Sequence, residues 1–342
     1  MPTPDVSFNN KSIQSMPTIP TLAVQLTASI PSAIILIFGI TGNLAIIITM
    51  IRYHKTKSKE RFFCLIGNLA GYDIFILLFS MTLKMTNYFI TWPFGSFLCH
   101  IYNGFQSYFM AGSAITMTFM ALEHYRVVIK EVNAYSKSSG KIIITVVIAL
   151  TASICACPSI IYSKYVSHSE SSVKCFIQFF QDLNQDKIVW QTYRNCRYVI
   201  FYLFPLIVVV TTYFQMLLTL NRYSRTSLAE YHLTKVKEQK NIMKMILYTN
   251  VTFVICWTPY FMYGFIVYFN HTIDDGIQLH RLIRVACELI AYINSAIHPF
   301  IYAKYMPICR QALYRLSCFR QSPSSNSNCE SSTSHHVTVT SC

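Results

Sequence analysis

The sequence predicts an all-α protein, a seven-transmembrane helix bundle with a short amphipathic eighth helix on the cytoplasmic face. Three observations lead there. Hydrophobic residues make up 53% of the 342 residues and charged residues only 12%, about half the charged share usual in soluble domains. Seven mostly apolar stretches reach the roughly 20 residues that a helix needs to cross a hydrocarbon core. Lysine and arginine gather in the connectors on alternate sides of those stretches.

The stretches fall at about 27–51, 62–86, 99–129, 141–162, 197–221, 241–269 and 279–303. Backbone groups in lipid must pair within their own segment, so each is expected to be a helix. Seven spans with short connectors disfavour a soluble fold that merely buries some of them. Glycine, at 10 of 342 residues, is too scarce for a loop-rich β protein. The chain divides accordingly into an extracellular segment 1–24, a bundle 25–303, a membrane-surface helix 304–320 and a disordered cytoplasmic tail 321–342.

Before the first span the chain is polar and carries Pro2, Pro4, Pro17 and Pro20. It lacks the basic start, short apolar core and cleavage site of a removable signal, so the first span is expected to be an uncleaved anchor.

Orientation follows from the connectors. Arg52, Lys55, Lys57, Lys59 and Arg61 follow the first span, and Lys130, Lys137 and Lys141 follow the third. Arg222, Arg225, Lys235, Lys237 and Lys240 follow the fifth. On the other side, no charge lies between Thr86 and Cys99, and Asp274 and Asp275 precede span seven. Basic loops face the cytoplasm, so an odd number of spans places the N-terminus outside. The sequons at Asn10 and Asn270 then also lie outside, as glycosylation requires. The net charge of +14 is thereby read as an orientation signal and not as a nucleic-acid surface, because the cations sit in short runs and cover no single face.

After span seven, Met306, Ile308, Cys309, Ala312, Leu313, Leu316 and Phe319 interleave with arginines. That pattern predicts an amphipathic helix lying on the membrane, with Cys309 and Cys318 as palmitoylation sites or plain free thiols. From Ser322 the chain is rich in Ser, Thr and Asn and is expected to be disordered, open to kinases or without a role.

A set of landmarks now appears in order. Gly42-Asn43 stands in span one, Leu69-Ala70-Gly71-Tyr72-Asp73 in span two, Cys99 at the head of span three and Pro158 in span four. Pro205 and Tyr213 follow in span five, Phe253 and Cys256-Trp257-Thr258-Pro259 in span six, and Asn294 with His298-Pro299-Phe300-Ile301-Tyr302 in span seven. Each alone is weak; in this order, each at its depth, they are specific. Over nearly all of residues 25–320 the sequence resembles the rhodopsin-like (class A) G-protein-coupled receptors.

The resemblance implies a Cys99–Cys175 disulfide, which agrees with both cysteines falling on the oxidising outer side. It implies hinges at Pro259 and Pro299, where proline interrupts the backbone ladder. Agonist binding near Trp257 would swing span six outward through Phe253, opening a cleft for a heterotrimeric G protein and then arrestin. Tyr213 and Tyr302 would meet across that cleft. It also implies a sodium ion at Asp73, helped by Ser113 and Asn294; no other cofactor is expected.

Two departures qualify this. The span-three motif, usually Asp-Arg-Tyr, reads Glu123-His124-Tyr125. Histidine has a shorter reach than arginine and titrates near neutrality, so reduced or unusual G-protein coupling is expected. A decoy, an arrestin-biased receptor or a ligand-independent receptor-like protein is the alternative. Second, His298 replaces an asparagine beside Asp73. It either forms an ion pair that replaces sodium or stays neutral and hydrogen-bonded.

The ligand is not named by the sequence. Gln106 stands where amine receptors carry an aspartate, which disfavours a monoamine. Some local wording is opsin-like, as in Trp92-Pro93-Phe94-Gly95, yet Tyr292 replaces the retinal-bearing lysine, so no Schiff base forms. Lys84 and Glu288 are intramembrane charges that either pair with each other or hold opposite ends of a polar ligand. Arg281 and Arg284 add positive charge at the mouth, and Trp257, Tyr260, Tyr263 and Tyr292 supply an aromatic floor. Together these favour a peptide ligand. No H-E-x-x-H or similar cluster supports an enzyme, and neither inverted repeats nor glycine-rich broken helices support a transporter.

Overall fold

The computed structural model describes residues 22–56, 61–86, 92–129, 138–167, 173–180, 183–226, 230–269 and 278–319. Eight helices follow one another in chain order. They are α1 (Leu22–Thr56), α2 (Arg61–Phe75, continued through a π-helical stretch Ile76–Met81 into Thr82–Thr86), α3 (Gly95–Ile129) and α4 (Ser138–Ile161). Next come α5 (Leu183–Tyr198, a π-helical stretch Val199–Leu203, then Phe204–Thr226), α6 (Glu230–Phe269), α7 (Gln278–Tyr305) and α8 (Pro307–Phe319). A hairpin of β1 (Ser163–Ser167) and β2 (Val173–Ile177) sits between α4 and α5.

Five of these helices are long and apolar enough to cross a membrane by composition: those containing Gln25–Arg52, Phe62–Thr86, Gly140–Ile161, Gln191–Arg222 and Val236–Ile266. The other two long helices, α3 and α7, are more polar and lie inside. α3 packs against α2, α4, α5 and α6 and against both strands, while α7 packs against α1, α2 and α6. Outward faces remain apolar. Ile154 is 71% exposed, and Ile34, Ile37, Ile143, Phe204, Ile207, Phe214 and Ile255 also point away from the bundle. Such a continuous apolar belt is stable only against lipid.

Small residues let the helices approach. A Cβ added to Gly42 would stand 2.9 Å from the Pro299 ring, and one on Gly112 would stand 2.5 Å from Tyr72. Beside Gly42, Asn43 Nδ2 donates to Gly39 O and to Ser295 O, each at 2.8 Å, tying α1 to α7.

Each expected span falls on a helix, most of them longer than the apolar stretch, although α4 ends at Ile161, one residue short of the expected bound. Span five was expected from residue 197, but α5 starts at Leu183; its first turns are polar, so an apolar-run criterion does not register them. The π-helical stretch in α5 lies just before Pro205, which has no N–H to close the preceding turn. In α2, the Thr82 hydroxyl takes the Leu77 carbonyl at 3.1 Å, five residues back, within the widened turn. The all-α bundle carries one short addition, the hairpin. It is too short and too polar on one face to announce itself in the sequence, and it is held by its disulfide.

Candidate functional site

At one end of the bundle the hairpin lies across the mouth. Cys99 and Cys175 are bonded, with their Cα atoms 5.7 Å apart, and Tyr165 pairs with Cys175 across the strands. Asn103 Nδ2 donates to Ser163 Oγ at 3.0 Å, a second tie from α3 to β1. The tryptophan of Trp92-Pro93-Phe94-Gly95 is buried against Cys99 and Tyr102. Its Nε1 donates to Gly95 O at 2.9 Å, and Gly95 adopts φ +72°, which starts α3 without the strain that a side chain would bring.

Below this mouth stand the intramembrane charges. Lys84 Nζ lies 3.3 Å from Glu288 Oε1, and Arg284 Nε lies 3.9 Å from the same oxygen. Glu288 is 4% exposed, Lys84 27% and Arg284 49%. Lys84 and Glu288 thus face each other as an ion pair to which Arg284 adds a second cation. One helical turn deeper, Tyr292 is buried and its hydroxyl shares a 3.2 Å hydrogen bond with Ser80.

Of the four aromatics expected to form the floor, Trp257 and Tyr260 are in ring contact. Trp257 meets Tyr260 edge-on at 5.7 Å and Phe253 at 5.9 Å. Its Nε1 is buried without a hydrogen-bond partner. Tyr263 has another task, donating to His280 O at 3.2 Å and so linking α6 to α7. Phe253 also meets Tyr202, whose hydroxyl shares a 2.5 Å hydrogen bond with Thr258. Pro259 and Pro299 lie inside their helices. Gln106 is partly buried on α3, one turn from Met110.

Arg197 was overlooked by sequence reasoning. It stands on α5 two residues before the π-helical stretch, with its Nη2 3.9 Å from Met110 Sδ and its guanidinium 5.5 Å over the Tyr193 ring. The available signal was an arginine at the first residue of the expected fifth span, which reads as a boundary residue until helix α5 is seen to begin at Leu183.

At mid-depth, His298 Nδ1 donates to Asp73 Oδ2 at 2.6 Å, both side chains being fully buried. Asp73 Oδ1, Asn294 Oδ1 and His298 Nε2 have no hydrogen-bond partner, and Ser113 is buried on α3. The sodium set that the resemblance implies is altered in this chain. One asparagine of the set is a histidine, and its N–H occupies a carboxylate oxygen that the ion would use.

At the opposite end, His124 is 4% exposed. Its Nε2 donates to Gln239 O on α6 at 3.2 Å, and its ring lies 6.1 Å from Phe62. Glu123 is engaged by Arg126 at 3.0 Å within α3. Tyr125 and Tyr213 pack with Val128, Met216, Leu220 and Met243. Tyr302 is wholly buried in the main core, so the two tyrosines of the implied switch occupy separate clusters.

α8 follows a break at Met306, whose N–H donates to Tyr302 O at 2.8 Å. Its Cys309 is 0% exposed, and burial pushes the thiol up to about 12. Cys309 is a free thiol on the inner face of the amphipathic helix, where its apolar neighbours Met306 and Ile308 pack. The side chain of Cys318, the sequons at Asn10 and Asn270 and the tail 320–342 lie outside the described residues.

A disulfide-tied hairpin thus stands at one end of the helical bundle, with charged and aromatic side chains gathered between it and Trp257. The chain matches the family "7 transmembrane receptor (rhodopsin family)" over residues 42–302. The chain belongs to that family. It is similar to a "[Phe13]-bombesin receptor" of Bombina orientalis, 25% identical over 327 aligned residues that cover 92% of this chain and 79% of the relative.

Proposed function

We propose that this receptor sits in the plasma membrane with its N-terminus outside, binds a peptide in the cavity below the hairpin, and signals to a heterotrimeric G protein. The observation that carries the peptide reading is the charge layout of the cavity. Glu288 is buried and already faces Lys84 and Arg284, while Gln106 offers no charge to an ammonium group. A monoamine has no counter-ion waiting on α3; a peptide supplies its own mixture of charges and hydrogen-bonding groups. The relative whose printed name is a bombesin receptor points the same way. The basic connectors support the orientation.

The coupling end favours a second reading beside the first. His124 is buried and holds α6 through a backbone carbonyl, and Arg126 is spent on Glu123. Neither presents the extended cation that the family uses against its G protein, so a receptor biased toward arrestin, or a decoy, is the alternative.

The test is a screen of peptide and small-molecule libraries on cells expressing the full chain, read by G-protein and arrestin reporters in parallel. Activation by a peptide in the G-protein channel is the expected result. Response to small organic molecules alone would overturn the peptide reading. A peptide response confined to arrestin would select the alternative.

A further inference from the structure

Within the described residues Arg197 has no carboxylate at ion-pair distance. Its polar surroundings are the Met110 thioether, a weak acceptor, and the face of Tyr193, and its Nε is buried without a partner. An arginine inside a membrane span, turned toward the bundle and lacking an acid, is a functional feature by default.

The surroundings are built, not incidental. The Tyr193 hydroxyl shares a 2.7 Å hydrogen bond with Ser159, and Ser159 shares one of 2.6 Å with Ser107 on α3. This chain fixes the ring under the guanidinium and joins α3, α4 and α5. Met110 belongs to the same core cluster as Trp257 and Phe261, and Trp257 Nε1 is itself a buried donor without an acceptor. On α5 itself, Arg197 Nε is a buried donor and Asn195 Oδ1 a buried acceptor, each without a partner. Across the bundle, on α2 and α7, Glu288 already has its cations.

We propose that Arg197 is the anion-recognising subsite of the ligand cavity, taking a carboxylate attached to an apolar or aromatic group. The guanidinium fork matches a carboxylate bidentately, and Met110 and the Tyr193 ring provide the apolar neighbourhood. The carboxylate comes from a ligand's C-terminus or from an acidic side chain; both present the same two oxygens. This deepens the peptide reading above and rests on it for the natural ligand, although the subsite is tested without a peptide.

The probe is N-acetyl-L-phenylalanine against its carboxamide, with binding measured by ligand-observed NMR and thermal unfolding of the purified full-length receptor. The acid is expected to bind and stabilise the wild type and the amide to do neither. Arg197→Gln should weaken the acid by about 10-fold or more, and Arg197→Lys should keep part of the preference. Equal binding of acid and amide to the wild type overturns the proposal without recourse to any variant, as does an Arg197→Gln protein that folds and binds the acid unchanged. A panel of short peptides, each with a free or amidated C-terminus and with Glu or Gln inside, identifies the source of the carboxylate. If no peptide acts while the acid probe still requires Arg197, the peptide reading fails and the subsite stands.

Discussion

His298 and Asp73 are joined at 2.6 Å in the centre of the bundle, each with a fully buried side chain. The relationship sets a side chain from α7 against the carboxylate at which the resemblance implies an ion. A direct α2–α7 link needs no solute, so sodium should have little to act on. Thermal unfolding of the wild type in NaCl and in choline chloride should coincide. His298→Asn frees Asp73 Oδ2 and restores the family's ligand set, so this variant should become more stable in NaCl than in choline. A wild-type receptor stabilised selectively by sodium would contradict the assignment.

His124 yields a second prediction. Its bond to Gln239 O holds α3 against α6 through one N–H group. Arg at this place brings a longer side chain, a fixed charge and several donors, and a hydrogen bond involving a charged group is worth ~1.5–3 kcal/mol. His124→Arg should raise agonist-stimulated nucleotide exchange several-fold while leaving agonist affinity within about twofold. Exchange that does not change would remove His124 as the reason for altered coupling.

The bundle was legible because its signals are long. Seven apolar runs and alternating basic connectors report the solvent of each segment, and landmarks such as Asp73, Trp257 and Pro299 fix the register along them. The Cys99–Cys175 bond followed from the resemblance together with the side on which both cysteines lie. What escaped was local or three-dimensional. The hairpin 163–177 has five-residue strands, and the first turns of α5 are polar. The π-helical turns in α2 and α5 arise from how single residues such as Thr82 and Pro205 redirect carbonyls. The inward direction of Cys309 depends on how α8 docks on α1 and α7. A helical pattern shows that one face is apolar, but a cysteine at its edge fits either side.

The Lys84–Glu288 contact makes a third prediction. Removing one partner of a buried pair leaves a charge without compensation, and that typically costs about 3–5 kcal/mol. Glu288→Gln leaves both Lys84 and Arg284 facing a neutral amide, so it should lower the unfolding temperature more than Lys84→Gln, after which Arg284 still attends Glu288. The exchanged double variant, Lys84→Glu with Glu288→Lys, should recover part of the loss. If both single variants unfold with the wild type, the pair is not structural, and ligand affinity becomes the measurement that reports its role.

A last prediction concerns α8. Cys309 is enclosed by its own helix and the main core, and its thiol is raised to about 12 by that burial. The sign is straightforward: a raised thiol pKa keeps the group protonated at neutral pH, and the thiolate is the reactive species. At pH 8 the thiolate is therefore scarcer than for an ordinary cysteine, and access is blocked as well. Cys309 should therefore resist maleimide in the folded receptor and react only on unfolding. Metabolic labelling with an alkynyl palmitate should be unaffected by Cys309→Ser. If the tail carries an acyl chain, Cys318→Ser should remove the label. A label that vanishes with Cys309→Ser in a receptor that still reaches the cell surface would mean that α8 turns its inner face outward in the membrane.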